Sequence, residues 1–176
     1  FPHAEIRGID YSEKAIAFAK AFNPSIDYTC LDITKDALER QYDVVTMVEV
    51  LEHIPPEEIP AFLESLKNTL GGKGKLILTV PHVNKKVQEK HYQHFSRESL
   101  RKTLDPFFEI ERIMPFDRRS RLNGWLLRLL GYTGMNYLIT NKAINTFVYK
   151  KILRGCLEEQ PEKLCGRLMV IARVKP

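Results

Sequence analysis

The stretch Glu49-Val50-Leu51-Glu52-His53 puts two carboxylates and an imidazole within five residues, at the end of an apolar, valine-rich run. Side chains of these types at the exit of a buried strand suit acid–base work or the lining of a polar ligand's site. Each also has a structural use. An acid at Glu52 suits the first turn of a helix, where it meets the positive end of the dipole, and His53 suits a hydrogen bond in the turn before Pro55. Four of the five histidines, His53, His82, His91 and His94, follow strand-like runs or lie in the loop beyond Pro81. An imidazole takes up a proton near neutral pH, so His94, then His53, then His91 are candidate bases for an acceptor hydroxyl or amine. A loop folded over its own helix, with His94 bonded to backbone near Ser96, is the structural alternative. His91 and His94 have a spacing that metal ligands use, but no carboxylate adjoins them, so no metal is expected.

Two further acids stand where strands end. Asp10 closes the run AEIRGID, and Asp32 closes IDYTCLD. In nucleotide-binding sheets a strand-end acid accepts hydrogen bonds from the two hydroxyls of a ribose, and Asp10 suits that role. Asp32 suits the amino group of an adenine, with Leu31 as an apolar wall. Both acids equally suit turns that cap the next element of the chain.

These residues need a scaffold, and the pattern supplies one. Residues 4–10 read as a strand, and Ser12 caps a helix with Ala15, Ile16, Ala19 and Phe22 on one side. Asn23-Pro24 breaks it, and residues 26–32 form a second strand. Residues 42–50 (YDVVTMVEV) are nearly continuous in apolar side chains, as a strand buried on both faces should be. Ile59, Phe62, Leu63, Leu66 and Leu70 then fall on one helical stripe, with Pro56 and Pro60 in the first turn and Gly71-Gly72 at the C-terminal end. Residues 74–81 (GKLILTVP) form a strand, Ser96 caps a helix carrying Leu100 and Leu104, and residues 108–116 and 167–175 are the last two strands. This order predicts an α/β fold, a mostly parallel sheet with helices on both faces and its ligand crevice at the strands' C-terminal ends.

Composition bounds the rest. The chain has 176 residues, 44% hydrophobic and 28% charged, one domain's worth of globular material. No apolar run approaches the roughly 18 residues of a membrane span. Cys30, Cys156 and Cys165 share no CxxC spacing, which argues for a reducing, cytoplasmic setting over a disulfide framework or zinc ribbon. Residues 117–154 carry eight Lys or Arg against Asp117 alone, a net of +7, so the remainder sums to −2. The basic character thus belongs to an insert, residues 117–160, between the last two strands. Its first half puts Leu122, Trp125, Leu126, Leu129 and Leu130 on one helical face, and a second helix after Asn141 carries Ile144, Phe147, Val148 and Ile152.

The residues Ile9-Asp10-Tyr11-Ser12, Asp32, YDVVTMVEVLEHIP from Tyr42, the strand ending at Pro81 and HYQHFSRESL resemble the class I S-adenosylmethionine-dependent methyltransferases. More narrowly, they are similar to the small-molecule branch that includes ubiquinone-biosynthesis O-methyltransferases. The likeness covers residues 6–116 and the final strand. It implies a Rossmann-like fold, S-adenosylmethionine as cofactor and a small or lipid-linked hydroxylated acceptor. By this resemblance Asp10 and Tyr11 hold the ribose side, Asp32 and Leu31 contact the adenine, Glu49 and Val50 line the methionine side, and His53 lies near the transferred methyl or orders the cofactor loop. The segment with His91 and His94 faces the acceptor.

The family's first strand and its glycine-rich GxGxG loop have no counterpart before Ala4. In the family's strand order 3-2-1-4-5-7-6 that strand is central, and its absence leaves two unpaired edges facing a gap. Upstream sequence is therefore expected, as the opening Phe1-Pro2-His3 also suggests. Residues 1–116 and 165–176 are the expected domain, and the insert is an acceptor lid or, alternatively, a surface helix on anionic lipid. Nucleic acid is disfavoured, since no stacking motif or RNA-module signature accompanies the basic run. Two rival functions stay open. One is a nicotinamide-dependent dehydrogenase, which also places an acid after its second strand but lacks here its Tyr-x-x-x-Lys pair. The other is a cofactor-free interaction module that keeps the sheet.

Overall fold

The computed structural model of the chain describes residues 3–36, 38, 40–118, 125, 142–150 and 154–175. Strand β1 (Arg7–Asp10) leads into helix α1 (Glu13–Phe22), and β2 (Asp27–Cys30) returns parallel to β1 with Asp10 opposite Cys30. Ser12 caps α1 from an extended conformation, its hydroxyl accepting from the Ala15 N–H. Gly8 lies against the Tyr28 ring, where a Cβ would come within 2.3 Å of a ring carbon, so no other side chain fits that register without movement.

Strand β3 (Tyr42–Val48) pairs in parallel with β4 (Leu70–Pro81), the connection running through a 3-10 turn (Leu51–His53) and α2 (Ile59–Thr69). Next come α3 (Arg97–Leu104), β5 (Phe108–Arg118), α4 (Lys142–Val148), the helical turn α5 (Arg154–Cys156), a 3-10 turn (Glu162–Leu164) and β6 (Cys165–Val174). β6 lies antiparallel between β4 and β5. The stripe on α2 is buried, as its period requires: Ile59, Phe62, Leu63 and Leu66 all face the core. Ser96 and Ser99 satisfy each other's backbone N–H at the start of α3, and Leu100 and Leu104 are fully enclosed. With Leu76, Leu78, Val80, Phe108, Leu168 and Val170 they form one core, each large apolar side chain contributing about 1.5–3 kcal/mol by leaving water.

The sheet is in two pieces, β2–β1 and β3–β4–β6–β5, among the described residues. That is the strand order 3-2-1-4-5-7-6 of the resembled family, with no described strand in its central place. Here one expectation fails: β3 is not buried on both faces. Val44 is 48% and Val48 70% exposed, because among the described residues β3 pairs with β4 alone. The pieces are tied at their N-terminal ends by Arg40, which donates to both Glu5 oxygens (2.9 and 2.6 Å) and lies 5.3 Å from the centre of the Tyr42 ring.

Other boundaries move for local reasons. Pro60 sits at the start of α2 but Pro56 lies before it. Gly71 and Gly72 do not cap α2. The helix ends at Thr69, Leu70 is already extended (φ −94°, ψ 137°), and both glycines belong to β4, whose first residue pairs with Tyr42. In the insert, α4 is present and buries Val148 while Phe147 is exposed. Leu122, Leu126, Leu129, Leu130 and Ile152 lie outside the described residues.

Candidate active site

At the ends of β1 and β2, Leu31 N–H donates to the Asp10 carbonyl (3.0 Å), which sets Asp10, Tyr11, Leu31 and Asp32 side by side. Asp10 Oδ1 accepts from the Ser12 N–H at 2.8 Å. Asp32 Oδ1 accepts from the Thr34 N–H (3.0 Å) and hydroxyl (2.7 Å), and its Oδ2 meets Lys35 Nζ at 2.9 Å. The Lys35 ammonium and the Thr34 hydrogen bonds hold the Asp32 carboxyl down to about 2, so it is ionised throughout the neutral range. Both acids therefore organise their own turns, and Asp10 and Tyr11 are exposed at the crevice edge.

At the end of β3 the chain bends sharply. Glu49 has φ 54°, donates its N–H to the Thr79 carbonyl (3.0 Å), and its carboxylate accepts from the Thr79 hydroxyl (3.3 Å) and Arg167 Nε (3.1 Å). Val50 comes next, partly exposed. Glu52 lies in the 3-10 turn rather than in α2, which starts only at Ile59, so a role at that helix's dipole is ruled out. It is fully enclosed, and neither carboxylate oxygen has a hydrogen-bond partner. Burial first, and the nearby Glu49 charge, push its carboxyl above the ordinary range.

The histidines resolve into distinct tautomers, since a carbonyl can only accept. His53 Nδ1–H donates to the Lys90 carbonyl (2.9 Å), leaving Nε2 as an acceptor that faces Glu52 Oε1 at 3.9 Å. His94 Nδ1–H donates to the Lys85 carbonyl (3.0 Å). Its Nε2 therefore accepts from His91 Nδ1–H (2.9 Å), and the His91 Nε2 lone pair is left bare. The His53 and His91 rings meet edge to face at 4.6 Å. Burial, then the His53 and His94 rings, hold His91 below the usual histidine range, so it is neutral at pH 7. His82 stands apart: its Nδ1 accepts from the Asn84 N–H (3.1 Å) and its Nε2–H donates to Glu162 (3.2 Å), pinning the loop after β4 to the turn before β6.

Glu52, His53 and His91 each bring one ligand atom to within 4.8 Å of the others, a grouping able to hold a cation. The sequence spacing had offered His91 and His94 no carboxylate. The fold supplies one from the end of β3, while both nitrogens of His94 are already engaged. Sequence reasoning also missed Thr79, Lys85, Asp117 and Arg167. The one signal for Arg167 was a guanidinium just before the apolar run of residues 168–172 at the crevice end of β6.

The unpartnered Glu52 carboxyl has a measurable consequence. Its folded-state pKa is raised, so its contribution to stability is complete below the unfolded value near 4.3 and is lost as pH climbs through the folded one. Glu52→Gln does not titrate. It is expected to be more stable than the parent at pH 8 and to lose most of that advantage at pH 4.5, read from denaturant melts at both values. Equal differences at the two pH values would refute it.

A family model for a methyltransferase domain matches residues 2–133. A ubiquinone biosynthesis O-methyltransferase from Coxiella burnetii is 30% identical over 145 residues, 76% of this chain and 58% of that protein. One of the same name from Bordetella pertussis is 38% identical over 58 residues, 30% of this chain and 24% of that protein. The chain thus spans 58% of the Coxiella relative's length. Among solved structures, the N-methyltransferase NodS from Bradyrhizobium japonicum in complex with S-adenosylhomocysteine aligns with TM-score 0.63 at 13% identity, over 99% of this chain and 69% of that one. The [4+2]-cyclase SpnF aligns with TM-score 0.59 at 18% identity, over 96% and 66%. The chain belongs to the class I S-adenosylmethionine-dependent methyltransferases and has their Rossmann-like α/β fold.

Proposed function

We propose that this chain carries much of the cofactor and acceptor site of a methyltransferase acting on a small or lipid-linked hydroxylated molecule. The observation that carries the reading is the bare His91 Nε2, fixed as a lone-pair donor by His94 and set beside His53 and Glu52 at the exit of β3. The fold alone does not choose the reaction, since a cyclase shares it.

The residues fit the cofactor. Acids at the ends of β1 and β2 suit a nucleoside with two vicinal hydroxyls and an exocyclic amine, and the Glu49 carboxylate suits the cationic methionyl end. When bound, S-adenosylmethionine supplies an electrophilic methyl group on sulfur. Asp10 then accepts from the ribose, with Tyr11 beside it. Leu31 and Asp32 border the adenine, Glu49 and Val50 line the methionyl side, and His53 orders the turn through its bond to Lys90. His91 Nε2 removes the acceptor hydroxyl's proton as the new bond forms, and His94 keeps His91 in the tautomer that makes this possible. The sequence order that put His94 first as base is thereby revised, because both its ring nitrogens are occupied.

Residues 117–160 act as the acceptor lid in this reading. Support comes from the ties where the insert rejoins the crevice: Gln160 N–H to the Pro115 carbonyl (2.8 Å) and, just beyond the insert, Glu162 to His82 and Arg97. Contact of this insert with anionic lipid is an alternative use that no such tie supports, and no helix among the described residues is long and apolar enough to cross a membrane.

Calorimetry on the full-length protein with S-adenosylhomocysteine and with NADH separates the readings. Binding of the first alone is expected, and Asp10→Ala should weaken it by about 1.5–3 kcal/mol, the worth of hydrogen bonds to a charged acceptor. Binding of NADH alone would favour a dehydrogenase, and binding of neither a cofactor-free module.

A further inference from the structure

Among the described residues, two other than glycine have positive φ: Glu49 (54°), where β3 ends, and Asp117 (63°), where β5 gives way to the insert. This region is sparsely populated by residues with a Cβ, and such corners persist only where their surroundings fix them. One side chain touches both. Arg167 Nε donates to Glu49 Oε2 at 3.1 Å and its Nη1 to Asp117 Oδ2 at 2.9 Å. Lys85, from the loop after β4, adds a third tie, Nζ to the same Asp117 oxygen at 2.8 Å. The preceding residue makes room for this cluster. A Cβ on Gly166 would lie 2.7 Å from Lys85 Cε and 3.1 Å from the Asp117 carbonyl oxygen. Arg167 itself is fixed by register, opposite Pro81 on β4 and Phe116 on β5.

We propose that Arg167 is a positioning residue: it holds the Glu49 carboxylate at the mouth of the crevice and locks that corner to the root of the lid. A rigid, planar guanidinium suits the task because it donates to two carboxylates in different directions at once, which a single ammonium does less well. Arg167 acts on the bound cofactor through Glu49 and makes no contact of its own with the reacting atoms. This rests on the reading of the crevice as a cofactor site.

The test is a double-mutant cycle on the full-length protein, read by calorimetric affinity for S-adenosylhomocysteine. Arg167→Gln is expected to weaken binding about tenfold, and Glu49→Gln by a similar factor. The double variant should be no more than about threefold worse than either single, because one interaction is removed in all three. Arg167→Lys should recover part of the loss. Arg173→Gln, farther along β6, which removes an ion pair to Glu111 on β5, should lower the melting temperature without changing affinity. A structural role alone would do the same in Arg167→Gln. Affinity of Arg167→Gln within about twofold of the parent, or single losses that multiply in the double variant, would overturn the proposal. A parent protein that ignores the ligand would instead overturn the functional reading on which it rests.

Discussion

Replacing His91 with alanine is expected to lower kcat by about 100- to 10,000-fold, the usual worth of a positioned general base, with little change in affinity for S-adenosylhomocysteine. The reason is geometric. Of the three imidazoles near the end of β3, His94 has both nitrogens bonded, and His53 Nε2 faces a buried carboxyl at 3.9 Å, whereas His91 Nε2 is bare. The pH profile adds an independent check. Only neutral His91 can accept a proton, and its pKa is lowered, so kcat/KM should fall on acidification only below the ordinary histidine value near 6.5. His94→Asn should retain much more activity than His91→Ala. Full activity in His91→Ala would assign the proton to another group.

The features most legible in the sequence were those set by local periodicity. Ser12 and Ser96 cap their helices because short hydroxyl side chains at those points satisfy orphan N–H groups, and the α2 stripe is buried because its 3.6-residue period fixes one face. The βαβ logic also placed Asp10, Asp32 and Glu49 at the same ends of their strands. What stayed hidden depends on pairs distant along the chain. No spacing rule joins Glu52 to His91, or Arg167 to Glu49 and Asp117. These arise from β6 entering between β4 and β5, and from the loop after Pro81 folding back over the turn at Leu51–His53.

The histidine tautomers were hidden for a related reason. Sequence gives an imidazole's position along the chain but not its tautomer, and the tautomer is set by which carbonyls surround it. Once Lys85 and Lys90 present their carbonyls, the protons on His94 and His53 are assigned, and that on His91 with them. The glycines after α2 show a similar limit. Gly-Gly after an apolar stripe reads as a helix stop, yet the pairing of Leu70 with Tyr42 draws both residues into a strand. Tertiary pairing outweighed a local preference worth roughly 1 kcal/mol.

The edge of β3 left unpaired among the described residues sets the second large effect. Leu78 is fully buried, opposite Met47 on β3 and Val170 on β6, and Leu78→Ala is expected to cost about 2–5 kcal/mol in denaturant melts through lost burial and the cavity left behind. Val48, in the valine-rich run that reads as a doubly buried strand, is 70% exposed beside that edge. In a protein of residues 1–176 alone, Val48→Ala should therefore change stability by less than about 0.5 kcal/mol. Both substitutions remove apolar carbon from one sheet, so the difference between them measures burial and not residue type. A core-sized cost at Val48 in the full-length protein would mean that another length of polypeptide lies along β3, filling the place between β1 and β3 and bringing the ribose-side acids and the imidazoles onto one continuous sheet.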